Sequence, residues 1–230
     1  MTSQPEPRAT AAASRRPRPR SAATWSPGRP LRVQVVLYDG VEEQDFIGPY
    51  EVFTVARNAA RSPLAIGYVS AGQPRVVTAG GGTRVQVSTG WSPGDADLLI
   101  VPGSGFTGPS RPGVELEVNQ GHLPGKIAAA RRDGLSIASV CTGALLLAAA
   151  GLTRGRPCTT HHMVRDKLAA LGGTVTDARV VDDGDLITCA GVTAGLDLGL
   201  HLVCRELGTE AAGLVAQILE YRPQGTVWTG

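Results

Sequence analysis

The sequence lacks the long apolar segments of a membrane protein. None of its apolar runs approaches the roughly 18 consecutive residues that span a bilayer. The first thirty residues contain arginines but no apolar stretch of the kind found in a secretory signal peptide. We therefore expect a cytoplasmic protein without a membrane partner.

Motifs for metals and phosphates are also missing. The four cysteines, at positions 141, 158, 189 and 204, show no Cys-x-x-Cys spacing, which argues against a zinc ribbon or a redox pair. The histidines and cysteines form no pattern from which a metal site is predicted. Gly103-Ser104-Gly105 is not followed by the Gly-Lys-Ser/Thr of a phosphate loop. We expect no metal and no cofactor.

A basic face is absent from most of the chain. Residues 1–30 contain six arginines and one acid, so residues 31–230 carry sixteen basic and nineteen acidic side chains, a formal charge of −3. This balance argues against a nucleic-acid partner. The tail, residues 1–30, is rich in Arg, Pro and Ala and is predicted to be disordered. Arg15–Arg20 could instead contact an anionic partner.

Segments of strand and helix type alternate through residues 31–230, which we expect to form a single domain. Strands are predicted at 31–37, 64–70, 75–78, 84–88, 97–103, 135–140, 158–160, 174–176, 179–181 and 186–189, with 75–78 and 84–88 as a hairpin. Helices are predicted at 50–56 with Pro49 in the first turn, at 115–132 with a break near Pro124, after Gly143, at 161–171, at 194–207 with Thr193 as its cap, and at 210–219. The alternation predicts an α/β fold with a mostly parallel sheet and helices on both faces.

One segment organises this pattern. Residues 135–140 are apolar and partly β-branched, whereas the residues after Gly143 are mainly Ala and Leu, which favour helix. Cys141 therefore lies at a sharp turn from strand to helix, which resembles a nucleophile elbow. The helix N-terminus is expected to lower the pKa of the thiol and favour the thiolate. The alternative is that Cys141 is simply a small buried residue.

A cysteine nucleophile needs a proton partner, and the loops at the carboxyl ends of the strands can supply it. Asp45 precedes the apolar Phe46-Ile47-Gly48, where burial would raise the pKa of its carboxyl group towards neutrality. Glu42 and Glu43 are rivals, although adjacent acids in a polar stretch are usually solvated.

A histidine could also activate the thiol. The chain contains four, at positions 122, 161, 162 and 201. His201 lies in an apolar helical segment and is interpreted as a core residue. His161 and His162 begin a predicted helix, where packing or capping is the simpler role.

The chain resembles the ThiJ/PfpI superfamily in several linked motifs. These are YDGVEEQDFIGPYEVF at residues 38–53 and LIVPG at 99–103. SVCTG at 139–143, AAGLTRGR at 149–156, TTH at 159–161, GVTAGLD at 191–197 and LEYRPQ at 219–224 resemble the isonitrile hydratase branch and the ligand domains of AraC-type regulators. Three positions depart from the usual pattern: Ser104 replaces a glycine, His162 a tryptophan and Arg222 an acid.

The resemblance implies a flavodoxin-like three-layer sandwich, usually a homodimer, that acts on a small-molecule substrate. It implies Cys141 as the nucleophile, Asp45 as the acid and Thr142 as the residue that holds water or substrate. We expect the substrate and oxyanion pocket to include Gly103, Ser104, Gly105, Ile47 and Gly48, with backbone N–H groups near Gly103 and Thr142 stabilising negative charge.

Three functions fit these residues. The first is an isonitrile hydratase, a lyase that adds water to an isonitrile through a Cys-bound thioimidate. The second is a Cys/Asp enzyme for another small electrophile, such as a reactive carbonyl or a natural-product intermediate. The third is a sensor domain like those of AraC-type regulators, although the sequence ends at Gly230 without a helix-turn-helix region.

Overall fold

The computed structural model describes residues 29–105 and 108–230, and its strands and helices alternate as the apolar pattern predicts. The strands are β1 Leu31–Leu37, β2 Leu64–Ser70, β3 Arg75–Thr78, β4 Arg84–Val87, β5 Leu98–Val101, β6 Ser136–Ser139, β7 Pro157–Cys158, β8 Thr174–Val175, β9 Val180–Asp183, β10 Leu186–Cys189 and β11 Val227–Thr229. The predicted disordered tail lies outside the described residues except for Arg29 and Pro30.

Seven strands form the central sheet in the order β11-β9-β10-β6-β5-β1-β2. Neighbours are parallel except β9 and β10, which are antiparallel and joined by a tight turn at Gly184. β3 and β4 form the predicted hairpin. All residues of β5 and β6 are buried, as expected for central parallel strands covered on both faces. The predicted mostly parallel sheet is confirmed.

Helices cover both faces of the sheet. They are α1 Glu43–Asn58, α2 Val114–Gln120, α3 His122–Ala130, α4 Gly143–Ala149, α5 Arg165–Ala170, α6 Ala194–Leu207 and α7 Thr209–Ile218. Helices α1, α6 and α7 pack against one another, and α2, α3, α4 and α5 form a second group. This three-layer, flavodoxin-like arrangement brings the carboxyl ends of β1, β5, β6 and β10 to one edge, where the candidate site lies.

Several helix ends differ from the prediction. Helix α1 begins at Glu43 and contains Pro49 in its interior, which places Asp45 in the first turn. A proline removes one backbone hydrogen bond, but Phe46 before it and Val52 and Phe53 after it are buried, and their packing holds the helix. The break in the predicted helix 115–132 occurs at Gly121, whose φ of 72° suits glycine, and not at Pro124.

Two further predictions are corrected. The Thr193 hydroxyl does not cap α6 but accepts a hydrogen bond from the Arg179 guanidinium at 3.1 Å. The segment after His161 begins with a short 3-10 turn, His162–Val164, before α5. Strand β11 was not predicted because its three residues form a strand only by pairing with β9.

Candidate active site

Cys141 lies at the strand-to-helix elbow that the sequence predicts. Its φ of 57° is in the left-handed region, which is uncommon for a residue with a side chain. Two bonds hold this conformation: the Cys141 N–H donates to the Ala190 carbonyl at 3.1 Å, and the Thr160 hydroxyl donates to the Cys141 carbonyl at 2.8 Å. Gly143 follows because a Cβ there would collide with the Val101 carbonyl oxygen. The elbow is therefore fixed by its neighbours on β5 and β10.

Asp45 reaches the elbow from the first turn of α1 and is fully buried. The Gly103 N–H donates to its Oδ2 at 2.9 Å, whereas its Oδ1 has no hydrogen-bond partner among the described residues. Burial raises the pKa of Asp45 to about 7, with a smaller contribution from the charge of Glu42. The Gly103 hydrogen bond and the Cys141 thiol oppose that rise. Asp45 can therefore give and take a proton near neutral pH.

The thiol of Cys141 faces Asp45 in the same buried space. Burial, followed by the charge of Asp45, raises the pKa of Cys141 to about 12. Backbone N–H groups of Val192 and Thr142 lower it. The expectation of a resting thiolate is therefore wrong, because desolvation and a facing carboxylate outweigh the field of the short helix α4. The resting pair is a neutral thiol beside a carboxyl group that is half ionised near neutrality.

The buried groups around this pair carry no opposite charge. The Tyr38 hydroxyl donates to the Pro102 carbonyl at 2.9 Å, and burial raises the pKa of this phenol. Cys189 is fully buried beneath the elbow, and burial raises the pKa of its thiol as well. Both groups stay neutral. Among these described buried groups, Asp45 is therefore the one that exchanges a proton near neutral pH.

Thr142 is tied to the loop after β5. Its hydroxyl donates to the Ser104 carbonyl at 3.0 Å and accepts from the Ser104 N–H at 2.9 Å. Because its only hydrogen is used, a water or substrate at Thr142 would have to donate to it. The structure thus gives Thr142 a loop-positioning contact in addition to the predicted role at the substrate.

The predicted oxyanion donors are only partly correct. The Gly103 N–H is engaged by Asp45, so it is not free to bind developing charge. The N–H groups that face the Cys141 sulfur belong to Thr142 and Val192. Gly103 instead permits close packing: a Cβ there would lie 2.5 Å from the Thr142 hydroxyl and 2.8 Å from the Asp45 carboxylate.

The sequence predicts Ser104 and Gly105 as pocket residues, but their contacts in the structure are with the start of α2 and with Glu42. The Ser104 hydroxyl is buried and accepts from the Val114 N–H at 2.8 Å, so it satisfies the start of α2 and does not point to the thiol. The position where a Cβ of Gly105 would lie is 4.0 Å from Oε2 of Glu42. Glu42 is half-buried, and burial raises the pKa of its carboxyl group. This rival acid therefore borders the loop beside Asp45.

The other predicted residues of this segment lie apart from the thiol. Glu43 accepts from the N–H groups of Gly81 and Thr83, so it fastens the β3–β4 hairpin to α1. The Ile47 side chain is 43% exposed on the outside of α1. Gly48 is buried where α1 meets the first turn of α6. The structure does not bring Ile47 and Gly48 into the Asp45–Cys141 pair.

The histidines lie around the site without entering it. His161 packs against Gly191, and its ring stacks on that of His162 at 4.4 Å. Burial, followed by the charge of His162, lowers the pKa of His161. His201 contacts Asp182 at 2.7 Å on a different part of the sheet, and it is only partly buried.

Val192 is the functional residue that the sequence reasoning missed. It follows the carboxyl end of β10, so it reaches the same edge as Cys141, and its N–H faces the sulfur. Its φ of 44° is a strained conformation for a β-branched residue. Its position follows from the register of the sheet, in which Ala190, two residues earlier, lies opposite Cys141.

Residues 29–105 and 108–230 contain neither a metal-binding cluster nor a helix that could cross a bilayer. Cys158 and His161 are separated by two residues, a spacing that metal sites use, but no cluster of three or more His, Cys, Asp or Glu side chains suited to a metal is present in the described residues. In the same residues, no helix combines the length and the apolar character needed to cross a bilayer.

A buried cysteine elbow, a facing carboxyl group and a flavodoxin-like sheet define a class of α/β proteins with a cysteine site. Residues 31–205 match the DJ-1/PfpI family, and the chain belongs to this family.

Individual relatives carry different descriptions. Isonitrile hydratase from Pseudomonas putida is 34% identical over 194 residues, which is 84% of this chain and 79% of that protein. The HTH-type transcriptional regulator GlxA from Rhizobium meliloti is 33% identical over 69% of this chain, but the match spans only 51% of the regulator. The crystal structure of a ThiJ/PfpI family protein from Pseudomonas syringae superposes with a TM-score of 0.70 at 29% identity, covering 90% of this chain and 84% of that one.

Proposed function

We propose that the protein is an isonitrile hydratase-like lyase that converts an isonitrile and water into an N-substituted formamide. The observation that carries this proposal is the buried Asp45–Cys141 pair, in which a thiol faces a carboxyl group with a pKa of about 7. The similarity to isonitrile hydratase over 84% of the chain supports the choice of substrate.

The first step forms a bond between the Cys141 sulfur and the terminal carbon of R–N≡C. Protonated Asp45 gives its proton to that carbon, and the thiol proton passes to Asp45 as the sulfur adds. The product is a thioimidate, R–N=CH–S–Cys141, and Asp45 is again protonated. A neutral resting thiol suits this step, because the carbon needs both a proton and a sulfur nucleophile.

The second step hydrolyses the thioimidate. The imine nitrogen takes the proton of Asp45. The resulting carboxylate removes a proton from water as the water oxygen adds to the thioimidate carbon. Collapse of this adduct breaks the C–S bond, returns a proton to the sulfur and releases R–NH–CHO. No net proton or electron is consumed, and the free thiol is regenerated.

The backbone around the elbow assists both steps. The N–H groups of Val192 and Thr142 stabilise negative charge on the sulfur as it attacks and as it leaves. The two hydrogen bonds between Thr142 and Ser104 hold the loop that also supplies the Gly103 N–H to Asp45. The two reacting groups are thus positioned by one connected loop.

A substrate panel in heavy water tests the proposal. The protein is incubated with several isonitriles and with small carbonyl compounds, and the products are identified by NMR and mass spectrometry. We expect formamides whose formyl carbon carries deuterium, because that hydrogen comes from solvent through Asp45 or the thiol. Cys141→Ala is the control for uncatalysed hydration. Turnover of carbonyl compounds alone would favour the alternative enzyme on another small electrophile.

A sensor domain is the second candidate, and the similarity to the GlxA regulator favours it. A sensor binds its ligand at the same cysteine site but releases it unchanged. Calorimetric titration with an isonitrile would then show saturable binding without formamide, and Asp45→Asn would change affinity and nothing else. Turnover above the Cys141→Ala background would contradict this candidate.

We also propose that the protein forms a homodimer, on the basis of the family resemblance. Sedimentation velocity of the full chain measures the oligomeric state directly. A monomer over the whole micromolar range would contradict the dimer.

A further inference from the structure

An ion pair between a partly exposed arginine and a buried carboxylate lies behind the turn that carries Val192. Asp197, in the first turns of α6, is 4% exposed and accepts from Arg179 Nε at 2.6 Å. The Tyr221 hydroxyl donates to the same carboxylate at 2.9 Å, and the Gln224 N–H donates at 2.7 Å. Three donors therefore hold a carboxylate that lies five residues from Val192.

Arg179 connects this carboxylate to both ends of the turn. Its carbonyl accepts from the Ala190 N–H at 2.9 Å, and Ala190 in turn accepts from the Cys141 N–H. Its guanidinium donates to the Thr193 hydroxyl at 3.1 Å and to Asp197. Arg179, immediately before β9, thus bonds to Ala190 and Thr193, the residues on either side of Gly191 and Val192.

The turn needs such a brace because Val192 is strained. A β-branched residue at a φ of 44° is held in a conformation that it avoids when free. The backbone bonds of the turn, Ala194 N–H to the Gly191 carbonyl and Gly195 N–H to the Val192 carbonyl, also form in ordinary helix starts. They do not by themselves select the left-handed conformation. The Arg179–Asp197 pair supplies the additional constraint.

We propose that Arg179 and Asp197 are positioning residues that hold Val192 in its left-handed conformation and so keep its N–H directed at the Cys141 sulfur. The inference rests on the proposed function only in taking Cys141 as the reacting thiol. Neither residue touches the substrate, and both act through the turn.

The titration of the thiol reports this contact. The Val192 N–H lowers the pKa of Cys141, so losing the contact raises that pKa further. The titratable groups that face the thiol are Asp45 from α1, Tyr38 after β1 and Cys189 on β10. Arg179, Asp197 and Tyr221 form the group behind the turn, and His161 packs against Gly191. The variants below leave Asp45, Tyr38 and Cys189 unchanged.

The experiment measures alkylation of Cys141 by iodoacetamide across pH 7–11. It uses a Cys204→Ser background, because Cys204 is exposed and would react as well. We expect Asp197→Asn to shift the profile to higher pH and to slow alkylation about tenfold at fixed pH, the effect of losing one hydrogen bond to a charged sulfur. Thr193→Val removes only the hydroxyl contact of Arg179, so it should shift the profile in the same direction by less, with little change in thermal stability.

Asp182→Asn is the matched control. Asp182 lies on β9, is 7% exposed and pairs with Arg205 at 3.0 Å. Its carboxylate bonds to His201, Arg205 and the Gly184 N–H, which lie outside the turn. It should lower the melting temperature without moving the alkylation profile. An unchanged profile in both turn variants, or an equal shift in Asp182→Asn, would overturn the inference. If Asp197→Asn does not fold, Thr193→Val decides by the same criterion.

These outcomes are independent of the proposed reaction. Iodoacetamide reports the thiol whether or not an isonitrile is turned over. A shifted profile with no formamide would support the brace and reject the hydratase. Formamide production with an unshifted alkylation profile would support the hydratase and reject the brace.

Discussion

Asp45 and Cys141 face each other in a buried space and shift one another's pKa values in opposite directions. The charge of Asp45 raises the pKa of the thiol, whereas the thiol lowers the pKa of the carboxyl group. At neutral pH the thiol therefore keeps its proton, while the carboxyl group beside it gains and loses one. This relationship leads to the following predictions.

Cys141→Ala should abolish formamide formation, because it removes the sulfur that forms the thioimidate. The side chain is 3% exposed and small, so its truncation should cost about 1 kcal/mol of folding stability. Product analysis is combined with thermal unfolding of the same sample. Undiminished turnover by a folded variant would reject the covalent route.

Asp45→Asn should fold and lose about two to four powers of ten in turnover, since the amide keeps the shape but cannot transfer the proton. Glu43→Gln is the matched control, because Glu43 fastens the hairpin and does not face the thiol. Glu42→Gln should stay active and move the pH–rate profile to lower pH, because the charge of Glu42 raises the pKa of Asp45. A fully active Asp45→Asn together with an inactive His161→Ala would assign the base to histidine.

Much of the fold and the core of the site were predictable from the sequence. The change from the apolar residues 135–140 to Ala and Leu after Gly143 correctly predicts the elbow, because local composition determines it. Burial of Asp45 follows from the apolar residues after it. Both depend on short stretches of sequence.

What the sequence did not reveal depends on tertiary packing. The pKa of Cys141 depends on burial under residues from β1 and β10 as well as on the helix that follows it. The Gly103 N–H was assigned to an oxyanion because its partner, Asp45, is 58 residues away. The role of Val192 required the register between β6 and β10, which local patterns do not specify.

Gly103→Ala should disrupt the site with little effect elsewhere. A Cβ would lie 2.5 Å from the Thr142 hydroxyl and 2.8 Å from Asp45 Oδ2, so the carboxyl group and the loop must move apart. We expect at least a hundredfold loss of turnover, by misplacement of reacting groups, and a loss of about 1–3 kcal/mol of stability, by overpacking.

Gly105→Ala is the control for this change. It adds the same methyl group two residues further along the loop, where Glu42 Oε2, at 4.0 Å, is the nearest atom of the described residues apart from the chain neighbours. It should retain most of the activity. Equal activity of the two variants would show that the tight contact at Gly103 does not position Asp45.

The stability of the protein should depend on pH through Asp45. Its carboxyl group has a pKa near 3.8 when unfolded and about 7 when folded, so the folded state binds the proton more tightly. The stabilisation by this proton is fully present below pH 3.8 and is lost as the pH rises through 7. The loss amounts to about 4 kcal/mol, from 1.36 kcal/mol for each unit of pKa difference. Asp45→Asn carries no such charge, so its stability relative to the parent should increase from pH 5 to pH 8 in urea unfolding. A constant difference between the two proteins over this range would contradict a raised pKa for Asp45 and, with it, the proton transfer on which the proposed reaction depends.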